Sequence, residues 1–148
     1  MFSFFKKQPE TQSTNPIADA FAGTSTKQKQ SLTNLLLIVS TCSDEQPKDS
    51  ELKMLNTLCD MLGVRGGEAM TYLKQYGPPA TIADLKTLSD FQKEMLITSV
   101  DNMMRLSPLS MQKKLPTVVS ILGEIGISQE KFLTTVEKNR ALYKHMMG

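Results

Sequence analysis

The chain has few of the residue types on which many catalytic and nucleic-acid-binding sites depend. It has no tryptophan, three tyrosines and one histidine, His145, near the C-terminal end. A Ser-His or Cys-His hydrolase would have to use that histidine, and base-stacking surfaces need more aromatic side chains. The 17 Lys and Arg residues are balanced by 15 Asp and Glu residues, so the basic excess of a nucleic-acid binder is missing. We therefore predict neither an enzyme nor a nucleic-acid-binding protein.

Cysteines and long apolar runs are also scarce. Cys42 and Cys59 do not form a CxxC pair, and we expect reduced thiols within helices rather than a disulfide. The longest purely apolar stretch, 35–39, is far shorter than the roughly 20 residues of a membrane span. At the N-terminus the lysines follow the phenylalanines, which is the wrong order for a secretory signal. We expect a cytoplasmic protein, with at most weak membrane-surface contact through Phe2, Phe4 and Phe5.

The composition divides the chain into a tail and one domain. Residues 1–26 are rich in Gln, Thr, Ser, Pro and Lys, which predicts a flexible tail. One short helix fits within it, with Asn15 as N-cap, Pro16 at the first position and Gly23 after its end. Residues 27–148 repeat apolar side chains at helical spacing and show no period-two alternation. They therefore predict a single all-α domain.

Capping residues, glycines and prolines set the expected helix boundaries. Gly63 ends a helix that begins after Pro47, and residues 77–79, Gly-Pro-Pro, end the next helix before a short one. Ser89 begins another helix with a capping box, and Pro116 should kink or split the segment that contains it. The helical spacing also places Leu52, Met70, Phe91 and Leu133 on the apolar faces of their helices, which we expect to point inward.

An internal repeat relates two parts of the domain. Residues 51–64 resemble residues 114–127, and each copy follows an apolar helix and a polar connector. Six positions match: Leu52, Leu55, Leu58, Leu62, Gly63 and Val64 with Leu115, Val118, Ile121, Ile125, Gly126 and Ile127. We therefore predict a compact bundle of about seven helices, built from two related helical hairpins that pack face to face.

This arrangement resembles the TerB-like family, named for a tellurite-resistance protein, over roughly residues 27–141. The resemblance rests on a helix, an acidic connector, a second helix ending in Leu-Gly-Val, and a second copy of that unit. The family pattern has Asp-Gly early in the connector and Glu at the start of the next helix. Asp44 and Glu51 match it, but in the second copy Ser107 and Lys114 stand at those positions.

The resemblance implies a candidate divalent-metal site. Family members are thought to bind metal through such acidic clusters, and here Asp44, Glu45, Asp49 and Glu51 offer oxygen ligands for Ca²⁺ or Mg²⁺. A purely structural alternative is that Asp49 or Ser50 caps the helix, Glu51 complements the helix dipole, and the carboxylates are solvated. Because the second connector lacks acids, we predict no cofactor and no tight metal site.

Two functions remain open. The resemblance implies a non-catalytic interaction module of TerB-like type, acting through a protein partner, with a role in a metal or stress response at the inner face of a membrane. The alternative is a divalent-metal-binding or sensing domain that uses the acidic connector. The ten methionines fit either gap-filling in the core or an adaptable groove for a partner. Neither the partner nor the oligomeric state follows from the sequence.

Overall fold

The computed structural model describes residues 16–42 and 46–147, with side chains described as far as residue 141. Within those residues it contains seven α-helices, one short 3-10 helix and no strand. The predicted all-α bundle of about seven helices is confirmed. The helices are α1 (Pro16–Phe21), α2 (Thr26–Thr41), α3 (Asp49–Leu62), α4 (Gly66–Leu85), α5 (Asp90–Arg105), α6 (Met111–Ile125) and α7 (Gln129–Met147), and the 3-10 helix is Pro108–Ser110.

The first helices of the two hairpins, α2 and α5, begin in the same way. The Ser25 hydroxyl accepts the Gln28 backbone N–H at 3.1 Å, and the Ser89 hydroxyl accepts the Gln92 backbone N–H at 3.1 Å. Each glutamine side chain accepts the backbone N–H of its serine in return. These reciprocal bonds satisfy backbone donors that have no partner inside the helix. The capping box predicted at Ser89 is confirmed, and α2 has a matching one.

The second helices of the two hairpins, α3 and α6, also end in the same way. Gly63 follows α3 with φ 70°, and Gly126 follows α6 with φ 101°. The next backbone N–H reaches back into the helix in both copies, from Val64 to the Cys59 carbonyl at 2.9 Å and from Ile127 to the Leu122 carbonyl at 2.8 Å. Glycine is favoured at these positions because a Cβ destabilises the left-handed conformation. The matched sequences therefore form matched helix ends.

Of the two proline-containing segments, the first confirms the helix end predicted at 77–79 and the second is continuous. Helical geometry in α4 breaks at Gly77, which has φ 75° and ψ 177°, and resumes directly at Pro78. Proline suits that first position because its missing N–H needs no partner there. Pro116 does not split its segment in two, since α6 runs through it from Met111 to Ile125. The other expected outcome, a kink at Pro116, stays a prediction. Pro116 is exposed, so water can reach the Gln112 carbonyl that its ring deprives of a donor.

The core lies between α2 and α5, which pack against each other. Their inward side chains are almost completely buried: Leu32, Leu35, Leu36 and Val39 on α2, and Leu96, Ile97, Val100 and Met103 on α5. Leu55 of α3 and Val118 of α6, which are matched in the repeat, are also buried. The short helix α1 packs on α5 and α3, and its Phe21 has no exposed surface. The rest of the predicted tail, 1–15, lies outside the described residues.

Four apolar residues that the helical spacing places on inward faces are exposed instead: Leu52, Met70, Phe91 and Leu133. Their neighbours Ala69 and Phe132 are buried in place of Met70 and Leu133. An apolar stripe is wide enough that its edge residues can lie outside the contact with the next helix. No helix among the residues placed by the structure is long and apolar enough to cross a membrane.

Candidate functional site

The structure describes two of the four acids in the predicted metal site. Asp49 is exposed at the first residue of α3, whereas Glu51, two residues later, is 1% exposed. Asp44 and Glu45 lie outside the described residues. Among the side chains that the structure describes, in 16–42 and 46–141, no three His, Cys, Asp or Glu residues form a group suited to a metal ion. The absence of a tight metal site remains a prediction.

The buried Glu51 carboxylate has protein partners at both of its oxygens. The Lys114 ammonium lies 3.4 Å from Glu51 Oε2, and the Ser107 hydroxyl donates to the same oxygen at 3.1 Å. The other carboxylate oxygen, Oε1, accepts the Lys48 backbone N–H at 2.8 Å. Lys114 is 0% exposed and also donates to the Ser40 carbonyl at 3.2 Å. This cluster joins α2, α3, α6 and the turn before α6.

Glu51 and Lys114 are equivalent positions of the two repeats, and here they contact each other. The expectation that the Glu51 carboxylate is solvated is therefore wrong. Its burial has a sequence signal: residues 51, 55, 58 and 62 follow the i, i+4, i+7, i+11 spacing of one buried face. Lys114 lies on the corresponding face of α6, four residues before Val118. A charge on an apolar stripe indicates a buried partner, because an unpaired buried charge is strongly destabilising.

A second polar contact ties α4 to α2. The hydroxyls of Tyr72 and Ser31 both donate to Asp84 Oδ2, each at 2.7 Å. The hydrogen bond to Asp84, together with burial, raises the pKa of Tyr72 to about 12. The phenol therefore stays protonated at neutral pH, and this contact has a structural role.

The Cys59 thiol is not an activated nucleophile. The structure has no disulfide between Cys42 and Cys59, as the sequence predicts, and both residues are partly buried. Burial, with a smaller effect of the neighbouring Asp60 carboxylate, raises the pKa of the Cys59 thiol, while a hydrogen bond with Thr33 opposes the change. A reactive cysteine needs a lowered pKa. His145 lies in α7, beyond the described side chains.

An open groove lies between α1, α3 and α5, with a volume of about 570 Å³. Its apolar lining is Ile17, Met54, Leu58, Met61 and Leu106. Met54 is partly buried and Met61 is 39% exposed, so two flexible thioether side chains are accessible in this lining. Methionine adapts its shape to different apolar partners, which suits a protein-binding surface.

The charged side chains that line this groove are both cationic. Lys53 is exposed on α3, and Arg105 ends α5. One terminal nitrogen of Arg105 is 2.6 Å from Asp101 Oδ2, but Asp101 is only 4% exposed and does not line the groove. The Arg105 Nε is buried with no hydrogen-bond partner among the described residues. The groove thus combines an apolar floor with a basic edge.

Comparison with known proteins adds no relative: no family model matches the chain, and neither does any curated protein or solved structure.

Proposed function

We propose that this protein is a non-catalytic helical interaction module, of the type that the TerB-like resemblance implies, and that its α1/α3/α5 groove binds an amphipathic helix of a partner protein. The observation that carries the proposal is the groove itself, with its methionine-rich floor and its length along α3. An apolar helix face inserted into an apolar groove is a common mode of peptide recognition. The proposed setting is a cytoplasmic metal or stress response.

The charge of the groove specifies the partner. Because Lys53 and Arg105 are the charged lining residues, the partner helix carries Asp or Glu beside its apolar stripe. A basic helix would meet charges of its own sign and bind less well. The polar lining residues Ser50, Thr57 and Asn102 can donate hydrogen bonds to the same acidic side chains. The proposed partner is thus an acidic amphipathic helix.

A pair of synthetic peptides tests this proposal. Both are 16-residue helical peptides with leucines at i, i+3, i+4 and i+7, flanked by glutamates in one and by lysines in the other. Fluorescence anisotropy with the full chain should show tighter binding of the glutamate peptide. Lys53→Glu should weaken that binding by about fivefold, since it reverses one contacting charge at a solvated edge. Lys86→Glu makes the same charge change at the residue that follows α4, away from the groove, and should leave binding unchanged.

Three results would overturn the proposal. One is that neither peptide binds, and another is that both bind equally. The third is that sedimentation shows a dimer of this chain that dissociates in Met61→Ser, because the groove would then hold a second copy. Retained helical circular dichroism in each variant ensures that a loss of binding reflects the groove.

A further inference from the structure

We propose that the Lys114 ammonium is a built-in cation at the junction of the two repeats, filling a position where the surrounding oxygens would otherwise hold a cation from solution. The proposal is independent of the partner-binding groove. It concerns the acids to which the resemblance assigns a metal, and it replaces that metal with a side chain of the protein. The residues present do not fit a bound divalent ion, for the reasons that follow.

The surroundings of the ammonium are those of a cation site. Oxygens approach it from two elements, the Ser40 carbonyl at the end of α2 and the Glu51 carboxylate at the start of α3. The Ser107 hydroxyl reinforces the arrangement by donating to the same carboxylate oxygen. Carboxylate and carbonyl oxygens are the ligands that hard cations prefer. Both Glu51 and Lys114 are at most 1% exposed, so the ammonium is in an enclosed position.

The lysine leaves no role for a second cation. Glu51 Oε2 already accepts from Lys114 and Ser107, and Oε1 already accepts the Lys48 backbone N–H. A divalent ion within reach of the same carboxylate would also lie close to the ammonium, in an environment where like charges repel more strongly than in water. The position is therefore filled for as long as Lys114 is present.

The repeat explains how such a pair arises. Glu51 and Lys114 are matched positions, so the two hairpins bring opposite charges to the same junction. The second hairpin also has Ser107 where the first has Asp44. One half thus supplies the anion and the other half supplies the cation.

Chemical rescue tests the proposal. Lys114→Ala removes a three-carbon chain and its ammonium, which corresponds closely to propylammonium in size and charge. Thermal unfolding of Lys114→Ala should begin well below that of the wild type, and propylammonium chloride should raise its Tm by several degrees by binding the folded state. Tetraethylammonium chloride at the same ionic strength controls for screening, because its cation has no N–H group and is too large for the position. n-Propanol, which has nearly the same shape without the charge, should give little or no recovery.

Matched variants show whether the charge of Glu51 is responsible for the stabilisation by propylammonium. Lys113→Ala removes an exposed neighbouring lysine and should gain nothing from propylammonium. In the double variant Glu51→Gln/Lys114→Ala, propylammonium should act no better than n-propanol. Lys114→Met fills the space without a charge and should be unaffected by either compound.

The proposal is overturned if n-propanol and propylammonium rescue Lys114→Ala equally, because the lysine would then serve only to fill volume. It is also overturned if propylammonium stabilises the double variant as much as the single one. Should Lys114→Ala fail to fold on its own, the same comparison is made on the recovery of helical circular dichroism when each compound is added. No recovery with propylammonium contradicts the proposal.

Discussion

The hydroxyl of Tyr72 donates a 2.7 Å hydrogen bond to the Asp84 carboxylate, and ionising the phenol would place two negative charges in contact. The pKa of Tyr72 is accordingly raised to about 12, from about 10 in an unfolded chain. Because the folded pKa is the higher one, the resulting stability is fully present below pH 10. It is lost as the pH rises from about 10 to about 12.

We expect an absorbance titration at 295 nm to show one tyrosine ionising near pH 12 while the protein is folded. Tyr72→Phe should remove that step, and Asp84→Asn should move it to lower pH by removing the negative charge. Tyr76→Phe is the control and should retain the step; the Tyr76 ring is tilted by 51° against that of Tyr72, with 5.2 Å between the ring centroids. A high-pH step that survives in Tyr72→Phe would contradict the assignment.

A second prediction concerns the buried ion pair. Glu51→Ala leaves the Lys114 ammonium buried without its anion, and we expect the free energy of unfolding to fall by about 3–5 kcal/mol. The exposed acid Glu68, whose nearest cation is Arg65 at 3.9 Å, provides the comparison. Glu68→Ala should change stability little, because solvated ion pairs contribute weakly. Urea denaturation measures both.

The double variant Glu51→Leu/Lys114→Met distinguishes the stability that the ion pair contributes from the cost of leaving one buried charge unpaired. Removing both charges together should cost less than removing Glu51 alone, since no uncompensated ion remains. If each single variant were instead as mild as Glu68→Ala, the buried pair could not have the structural role described here.

The sequence could place these two charges on inward faces but could not pair them. Their helical spacing with Leu55 and Val118 predicts the face on which each lies. Their contact spans 63 residues of chain and depends on how α3 and α6 pack, which no local pattern specifies. The contact of Ser107 with Glu51 is harder still to predict, because a serine in a connector carries no periodic signal.

At the scale of an element, the helix ends depend on two glycines with positive φ, Gly63 and Gly126. We expect Gly63→Ala and Gly126→Ala each to lower the free energy of unfolding by about 1 kcal/mol, because a Cβ disfavours the left-handed conformation. Gly126→Ala should be the more harmful, since its φ of 101° lies farther than the 70° of Gly63 from the left-handed region open to residues with a Cβ.

Gly67 supplies the matched control for this prediction. It is the second residue of α4, with ordinary helical geometry, and a Cβ there meets nothing within 4 Å. Gly67→Ala should therefore stabilise the protein by about 0.5–1 kcal/mol through higher helix propensity. Thermal unfolding of the three variants tests the assignment, and equal effects at all three positions would refute it.

The ends of α3 and α6 were predictable because glycine placement and the loss of apolar periodicity coincide there. The passage of α6 through Pro116 was not, because the cost of a proline depends on whether water can reach the carbonyl that it leaves unpaired. That exposure is a property of the packed molecule. The break at Gly77 shows the opposite case, in which glycine directly before two prolines correctly predicts where helical geometry fails.

At the scale of the whole molecule, we expect calcium to have little effect on stability. A ligand at about 100 times its dissociation constant adds roughly 2.7 kcal/mol, which would raise the Tm by several degrees in a domain of this size. With about 1 mM Ca²⁺ or Mg²⁺ we expect a much smaller change, because a single acidic connector supplies too few of the six to eight oxygens that Ca²⁺ takes. Differential scanning calorimetry with and without chelator measures it.

The outcome that would restore the metal-sensing alternative is specific. It is a shift of several degrees with Ca²⁺ that disappears in Asp44→Ala or Glu51→Ala. A calcium effect that persists in both variants would point to binding elsewhere on the chain.

The sequence predicts the number and type of the helices in the bundle better than it predicts the surfaces that they form. Seven helices follow from periodicity and capping residues, whereas the α1/α3/α5 groove depends on the angles at which three helices meet. Ile17, Met54 and Leu106 come from three separate segments, and only the folded chain brings them to one surface. The abundance of methionine is the one sequence feature that pointed towards such a groove.

The opposite charges of Glu51 and Lys114 have a consequence for how the two halves recognise each other. Two copies of the first half, assembled as the halves are in the intact chain, would bring two carboxylates together. Two copies of the second half would bring two ammonium groups together. Only a mixed pair neutralises the junction, so fragments separated between α4 and α5 should assemble with each other and not with themselves. The charges at the junction thus specify that each half of the chain pairs with the other half and not with a second copy of itself.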